Sequence, residues 1–236
     1  MADQPIVERA DWLRARQELL DEEKAFTKAR DALAQKRRKL PWVRVEKDYE
    51  FEGLQGVESL ADLFAGKGQL VVYHFMYGPE WEEGCPSCSF WADNFNGIDI
   101  HLAHRDTTLV TVSNTSLSNI NTYKERLGWE FKWVSSLGSD FNRDFHVTFT
   151  QEELDAGAVE YNFTKSGSFP STEAPGLSVF VRLSDGGVAH AYSSYSRGLD
   201  IINGAYHILD LTPKGRDEDD LPFSMAWVRR RDQYDD

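Results

Sequence analysis

The sequence predicts an α/β fold, a mixed sheet with helices on both faces, preceded by a helical N-terminal segment. Three observations predict it. Residues 70–77, LVVYHFMY, form a continuous apolar run with the length and β-rich composition of a buried central strand. Strand-like and helix-like segments alternate after it. Two further β-rich runs flank Asp185-Gly186-Gly187, a hairpin signal.

Residues 5–39 read as a helix, because Ala, Leu, Glu, Lys and Arg dominate and no Gly interrupts after Pro5. Apolar positions such as Leu13, Leu20 and Ala32 are sparse, which places this helix on a surface or on a partner subunit. The basic run Lys36, Arg37, Arg38, Lys39 complements the dipole at its C-terminal end, and Pro41 stops it. Residues 43–51 mix apolar and charged positions, as in a strand or hairpin edge. Residues 59–64 read as one helical turn, stopped by Gly66 and Gly68. The central strand, 70–77, ends at Gly78 and Pro79, and a short acidic loop leads to a helix from Cys85 to about Phe95. A strand is expected at 106–112, a helix at 116–127 with Gly128 to terminate it, and a third strand at 131–135. Residues 151–172 are polar with several Gly and Ser, and are expected to be an insertion or long loop. The hairpin strands are 177–183 and 188–194, a helical pattern returns at 199–211, and the charged tail, 214–220, is expected to be exposed. Alternation argues for parallel central strands, and the hairpin adds an antiparallel pair. This is the thioredoxin-like plan, with residues 1–40 as a helical extension and 41–236 as the domain.

The 236 residues carry 26 basic and 39 acidic side chains, a formal net charge of −13. That sign argues against nucleic acid and against an anionic membrane as partner, and reads as solubility. No stretch approaches the roughly 18 apolar residues of a spanning helix. The opening residues, MADQPIVERADWLRAR, have no apolar h-region, so a secretory signal is not expected and the cytoplasm is. The two cysteines, Cys85 and Cys88, do not make a disulfide framework; three residues apart, they point to redox or metal chemistry.

Pro86 suits the first position of a helix, which makes Cys85 the N-cap residue. Backbone N–H groups and the positive end of the helix dipole then favour thiolate at Cys85. Cys88, Trp91 and Phe95 recur at intervals of three and four and share a face that belongs against the sheet. Cys85 is thus the accessible nucleophile and Cys88 the sheltered resolving thiol, the arrangement disulfide exchange requires. No bound cofactor is needed, and the partners are protein or small-molecule thiols and disulfides; a homo-oligomer is an open alternative. Zinc is a rival reading, but it needs two more ligands and no second C-x-x-C exists. His74, His101, His104 and His146 are the available histidines, with His101 and His104 expected in an exposed loop. Thiol peroxidase is a third reading. Peroxiredoxin-like folds keep Thr or Ser three residues before the attacking Cys, and here that residue is Glu82. Glu82 and Glu83 would raise the Cys85 pKa against the helix dipole. A non-catalytic binding protein on the same fold is a fourth.

Residues 68–95, GQLVVYHFMYGPEWEEGCPSCSFWADNF, resemble a largely bacterial family of thioredoxin-like proteins known as a domain of unknown function. The resemblance continues through residues 98–102, IDIHL; 133–136, WVSS; and 138–145, GSDFNRDF. It resumes at 192–198; at 203–207, NGAYH; and at 211–216, LTPKGR. It implies the fold and a redox role, and no substrate. Against thioredoxin itself the cysteine spacing matches, while Gly84 replaces the usual Trp and Pro-Ser replaces the intervening Gly-Pro. Thioredoxin-like proteins also place a cis-proline beside the cysteines, just before a strand. Pro175, preceding residues 176–180, is the candidate, a trans loop proline being the alternative. Arg143, between Asp140 and Asp144, reads as a structural ion pair. Arg197 and His207 lie near the final helix, Tyr73 and His74 alternate on the central strand, and none of these takes a catalytic role.

Overall fold

The computed structural model describes residues 4–167 and 169–234. In chain order the elements are α1 (Arg9–Arg37), β1 (Val43–Arg44), β2 (Glu50–Gly53), β3 (Gly56–Ser59), β4 (Gln69–His74), α2 (Pro86–Ala92), α3 (Ile98–Ala103), β5 (Thr107–Ser113), α4 (Leu117–Leu127) and β6 (Trp133–Ser135). They continue with α5 (Phe141–Asp144), α6 (Gln151–Asp155), β7 (Val159–Tyr161), β8 (Thr164–Ser166), β9 (Gly176–Arg182), β10 (Val188–Tyr195) and α7 (Gly204–Leu209). Short 3-10 turns occupy Asp62–Phe64 and Ser196–Ile202.

Eight strands make one mixed sheet in the order β1-β10-β9-β4-β5-β6-β2-β3, and β7 and β8 pair separately. β4 lies inside it, parallel to β5 (Val72 opposite Val110) and antiparallel to β9 (Val72 opposite Ser178). This placement explains the continuous apolar run, since both faces of β4 are covered. Leu70 and Val72 join Val110, Phe141 and Phe180 on one face. Tyr73 and Phe75 join Cys88, Trp91, Phe95 and Tyr123 on the other. A strand carrying α2 at its C-terminal end, a parallel neighbour and a following antiparallel hairpin together form a thioredoxin-like core.

Several boundaries differ from the sequence reading for identifiable reasons. β4 stops at His74; Phe75 still donates to Val112 O at 2.9 Å, but Met76 O accepts from Cys85 N at 3.0 Å, so the chain folds back on itself. Residues 43–51 hold two strand pieces with irregular chain between them, because β1 pairs β10 while β2 pairs β3 and β6. Residues 151–172 are not one long loop: Thr150 and Glu153 form a capping box for α6, and the β7–β8 hairpin follows. Val159 and Tyr161 there join Val147, Phe149 and Tyr195 in a third apolar cluster. The helical pattern at 199–211 is split, because the Asn203 side chain accepts from Tyr206 N at 3.1 Å and starts α7 afresh. α4 follows expectation, with Ser116 Oγ accepting from Asn119 N and Gly128 at φ 58° closing it. His101 lies on α3 rather than in a loop.

The tail is exposed as expected at Lys214, Asp217, Asp219 and Asp220, but not at Arg216 and Glu218. Within 214–220, Glu218 accepts from Tyr206 Oη at 2.6 Å and Trp227 Nε1 at 2.7 Å, and the Arg216 guanidinium stacks 3.9 Å from the Tyr206 ring centre. The C-terminal segment is thereby strapped across the molecule toward the cysteines. Among the described residues no helix is long and apolar enough to cross a membrane.

Candidate redox site

Cys85 occupies the N-cap of α2, with Pro86 in the first turn. It is partly exposed, whereas Cys88, one turn on, is buried; both are free thiols lying 3.9 Å apart. The Cys85 sulfur makes no capping hydrogen bond of full geometry. The Cys88 thiol donates toward it, and the N–H groups of Ser87 and Cys88 and the charge of Arg230 further favour its anion. Together they outweigh the cost of partial burial and bring the Cys85 pKa down to about 7. Burial, reinforced by the neighbouring Cys85, pushes the Cys88 thiol well up. The two sulfurs thus differ in the sense that separates an attacking thiolate from a resolving thiol.

The loop before Cys85 is held from several directions. Arg230 Nη2 donates to Gly84 O at 2.7 Å, its Nε to Tyr123 Oη at 2.8 Å, and its Nη1 pairs with Glu83 Oε2 at 2.7 Å. Arg126 also pairs with Glu83 and with Asp232. Two arginines therefore compensate Glu83, which weakens the acidic-loop effect expected from the sequence. Ser89 Oγ donates to Cys85 O at 2.9 Å and bonds Tyr123 Oη at 2.9 Å. Behind the pair, Tyr73 Oη donates to Cys88 O at 3.4 Å, and Trp91 Nε1 donates to Leu199 O at 2.9 Å. Gly84 is required by close approach: a Cβ there would lie 2.6 Å from Phe75 Cε1. The bulky Trp usual at this position in thioredoxin has no room.

A cleft of about 640 Å³ adjoins α2, walled by Ser87, Trp91, Pro175, Arg197, Arg216 and Met225 among others. Pro175 thus sits beside α2 and just ahead of β9, but no cis peptide bond occurs among the described residues. The candidate cis-proline is corrected to a trans one. Its carbonyl accepts from Tyr161 Oη at 2.7 Å, and Ala174 N donates to Val147 O at 2.9 Å, so the approach is pinned by the third cluster in the ordinary trans geometry.

Other polar residues singled out from the sequence lie apart. His74 packs against Phe141 on the opposite face of the sheet and bonds Ser178 Oγ at 2.8 Å through Nε2; burial pushes its pKa down to about 3. His104 Nδ1 bonds Ile100 O at 2.8 Å. Among the described residues no three His, Cys, Asp or Glu side chains converge as metal ligands would. Arg143 pairs with Glu153 at 3.0 Å, while Asp140 and Asp144 take Lys47 instead. Arg197 pairs with Asp200, and His207 is exposed on α7. Arg230 and Tyr123 are the contributors the sequence reading missed. Arg230 stands 146 residues from Gly84, and nothing local in the run 229–231 marks which arginine turns inward.

Structures of similar shape include peroxidoxin BcpB from Mycobacterium tuberculosis, at 15% identity and TM-score 0.46, covering 69% of this chain and 92% of that one. A cysteine variant of PrxQ from Xylella fastidiosa is 12% identical, with TM-score 0.42 over 68% and 88% of the two chains. A candidate thiol:disulfide interchange protein DsbE from Chlorobium tepidum is 13% identical, with TM-score 0.39 over 65% and 86%. No curated protein matches the chain. The match that spans the molecule, from the exposed N-terminal helix through α2 to the tail that carries Arg230, is to a family: over residues 1–234 the chain belongs to the bacterial proteins of unknown function grouped as DUF899.

Proposed function

We propose that this protein is a thiol–disulfide oxidoreductase. One observation carries the reading: a partly exposed Cys85 with a lowered pKa at a helix N-terminus, and a buried Cys88 with a raised pKa 3.9 Å away. The Cys85 thiolate attacks one sulfur of a substrate disulfide. A Cys85–substrate disulfide forms and the first substrate thiolate leaves, taking up a proton. Cys88 then loses its proton and attacks the Cys85 sulfur, which releases the second substrate thiol. Two electrons pass from the dithiol to the substrate, and the Cys85–Cys88 disulfide that remains is reduced again by an external dithiol. The adjoining cleft, walled by Ser87 but by neither cysteine, receives the remainder of the substrate, with Trp91 and Met225 supplying apolar contact.

Trapping on the resolving-cysteine variant tests this. Incubated with hydroxyethyl disulfide, Cys88→Ser is expected to retain one mercaptoethanol adduct on Cys85, visible by intact mass. Wild type is expected to lose two hydrogens and retain none, and Cys85→Ser to react with neither. A wild-type protein inert to disulfides but rapidly oxidised at Cys85 by a hydroperoxide would instead establish the peroxidase reading.

A further inference from the structure

α1 has no buried residue along its 29 positions, although it carries large apolar side chains. Trp12, Leu19, Phe26 and Leu33 recur every seven residues, and each is close to half exposed or more, at 46%, 51%, 69% and 47%. Leu13 and Leu20 flank the same stripe and are also exposed. A helix that buries nothing against its own chain gains little beyond intrinsic propensity, and a strict seven-residue apolar repeat is the pattern of a helix packed on another helix.

The charges identify the other helix. Residues 9–23 hold five acidic and three basic side chains, whereas residues 24–37 hold five basic and one acidic. Such a helix repels a parallel copy of itself and attracts an antiparallel one, in which each acidic half lies along a basic half. The apolar stripe has the same symmetry. In an antiparallel pair centred between Glu22 and Glu23, Trp12 faces the partner's Leu33 and Leu19 faces the partner's Phe26, so each large aromatic meets a leucine. An isologous two-fold contact of this kind closes at two copies.

We infer that two copies of this chain pair through α1, antiparallel, with Trp12, Leu19, Phe26 and Leu33 at the seam. The basic end of α1 stays anchored to its own domain, where the Arg37 guanidinium lies over the Tyr192 ring at 5.6 Å. The pairing leaves the cleft beside α2 free, since no residue of α1 lines that cleft.

Light scattering on the 236-residue chain is expected to give the mass of two chains. Combined Leu19→Glu and Phe26→Glu are expected to halve it, with the near-ultraviolet circular dichroism unchanged because neither side chain is buried in the domain. In a Cys85→Ser, Cys88→Ser background, Glu22→Cys is expected to cross-link two chains under mild oxidation, and Arg9→Cys is not. A single-chain mass across the accessible concentration range would overturn the inference, including one accompanied by binding to anionic vesicles. So would a dimer that survives both glutamate substitutions, or cross-linking at Arg9→Cys as strong as at Glu22→Cys, which would mean parallel helices.

Discussion

Cys85 draws its acidity from groups of very different legibility. Its N-cap position follows from Pro86 alone and is visible in six letters of sequence. The second thiol also follows from spacing, since Cys88 falls on the Trp91–Phe95 face. Arg230 does not: it reaches Gly84 and Glu83 only because the tail folds back across the molecule. Removing that guanidinium takes away a positive charge near the sulfur and leaves Glu83 compensated by Arg126 alone. Arg230→Ala is therefore expected to raise the Cys85 pKa from about 7 toward the roughly 8.5 of a free thiol, followed by thiolate ultraviolet absorbance against pH. An unmoved titration would show that Arg230 only anchors the loop. Glu173 gives a second residue-level outcome. It is buried, and desolvation pushes its pKa up to about 7, against the donors Thr148 and Asn114. Between its ordinary value of 4.5 and about 7 the folded state holds a proton that the unfolded state has released. Stability from this group is thus present below pH 4.5 and falls as pH rises to about 7, by at most about 1.4 kcal/mol per pH unit. Urea midpoints at pH 5 and 7.5 are expected to show that fall in wild type and a smaller one in Glu173→Gln.

Elements were legible where their signals are local. α4 carries its own stop at Gly128, which acts as the sequence indicates, and its own cap at Ser116, one residue outside the helix. The β9–β10 hairpin turns at Asp185-Gly186-Gly187, with Gly186 at φ 86°. Elements that depend on distant partners were misread. Residues 151–172 look like a loop because their apolar side chains are few and scattered; Val159 and Tyr161 bury against Val147 and Tyr195, which no local pattern announces. Pro175 was open between a cis-proline and a trans loop proline, and the trans form is the one found, because neighbouring residues of the third cluster pin the chain on either side. The turn into α2 is an element whose packing leaves no slack. Gly84→Ala places a methyl against Phe75 and Tyr123, so the Phe75 ring or the loop must shift. The expected cost is about 1–3 kcal/mol by denaturant midpoint, together with loss of the Cys85 rate advantage in alkylation. A substitution neutral in both would mean that the loop is looser than its contacts indicate.

At the scale of the whole molecule, the sequence reading recovered the layered α/β plan, because a strand buried on two faces and an alternation of periods are global signals carried by every residue. It did not recover the strap. The tail's charge suggested exposure, yet Glu218 and Arg216 are occupied by Tyr206, Trp227, Asp200 and Asp210. The strap joins two parts of the molecule: it walls the cleft beside Trp91 and delivers Arg230 to the loop that precedes Cys85. In the function proposed above, Cys85 is the nucleophile and Cys88 its buried resolving partner. Iodoacetamide alkylation of the reduced protein, timed across pH 5 to 9 and resolved by peptide mass for each cysteine, tests it most directly. Cys85 is expected to react first at every pH, with a rate that rises about tenfold per unit at low pH and levels off above about 7, while Cys88 stays protected. Faster labelling of Cys88, or a Cys85 rate still climbing tenfold per unit through pH 8, would contradict it.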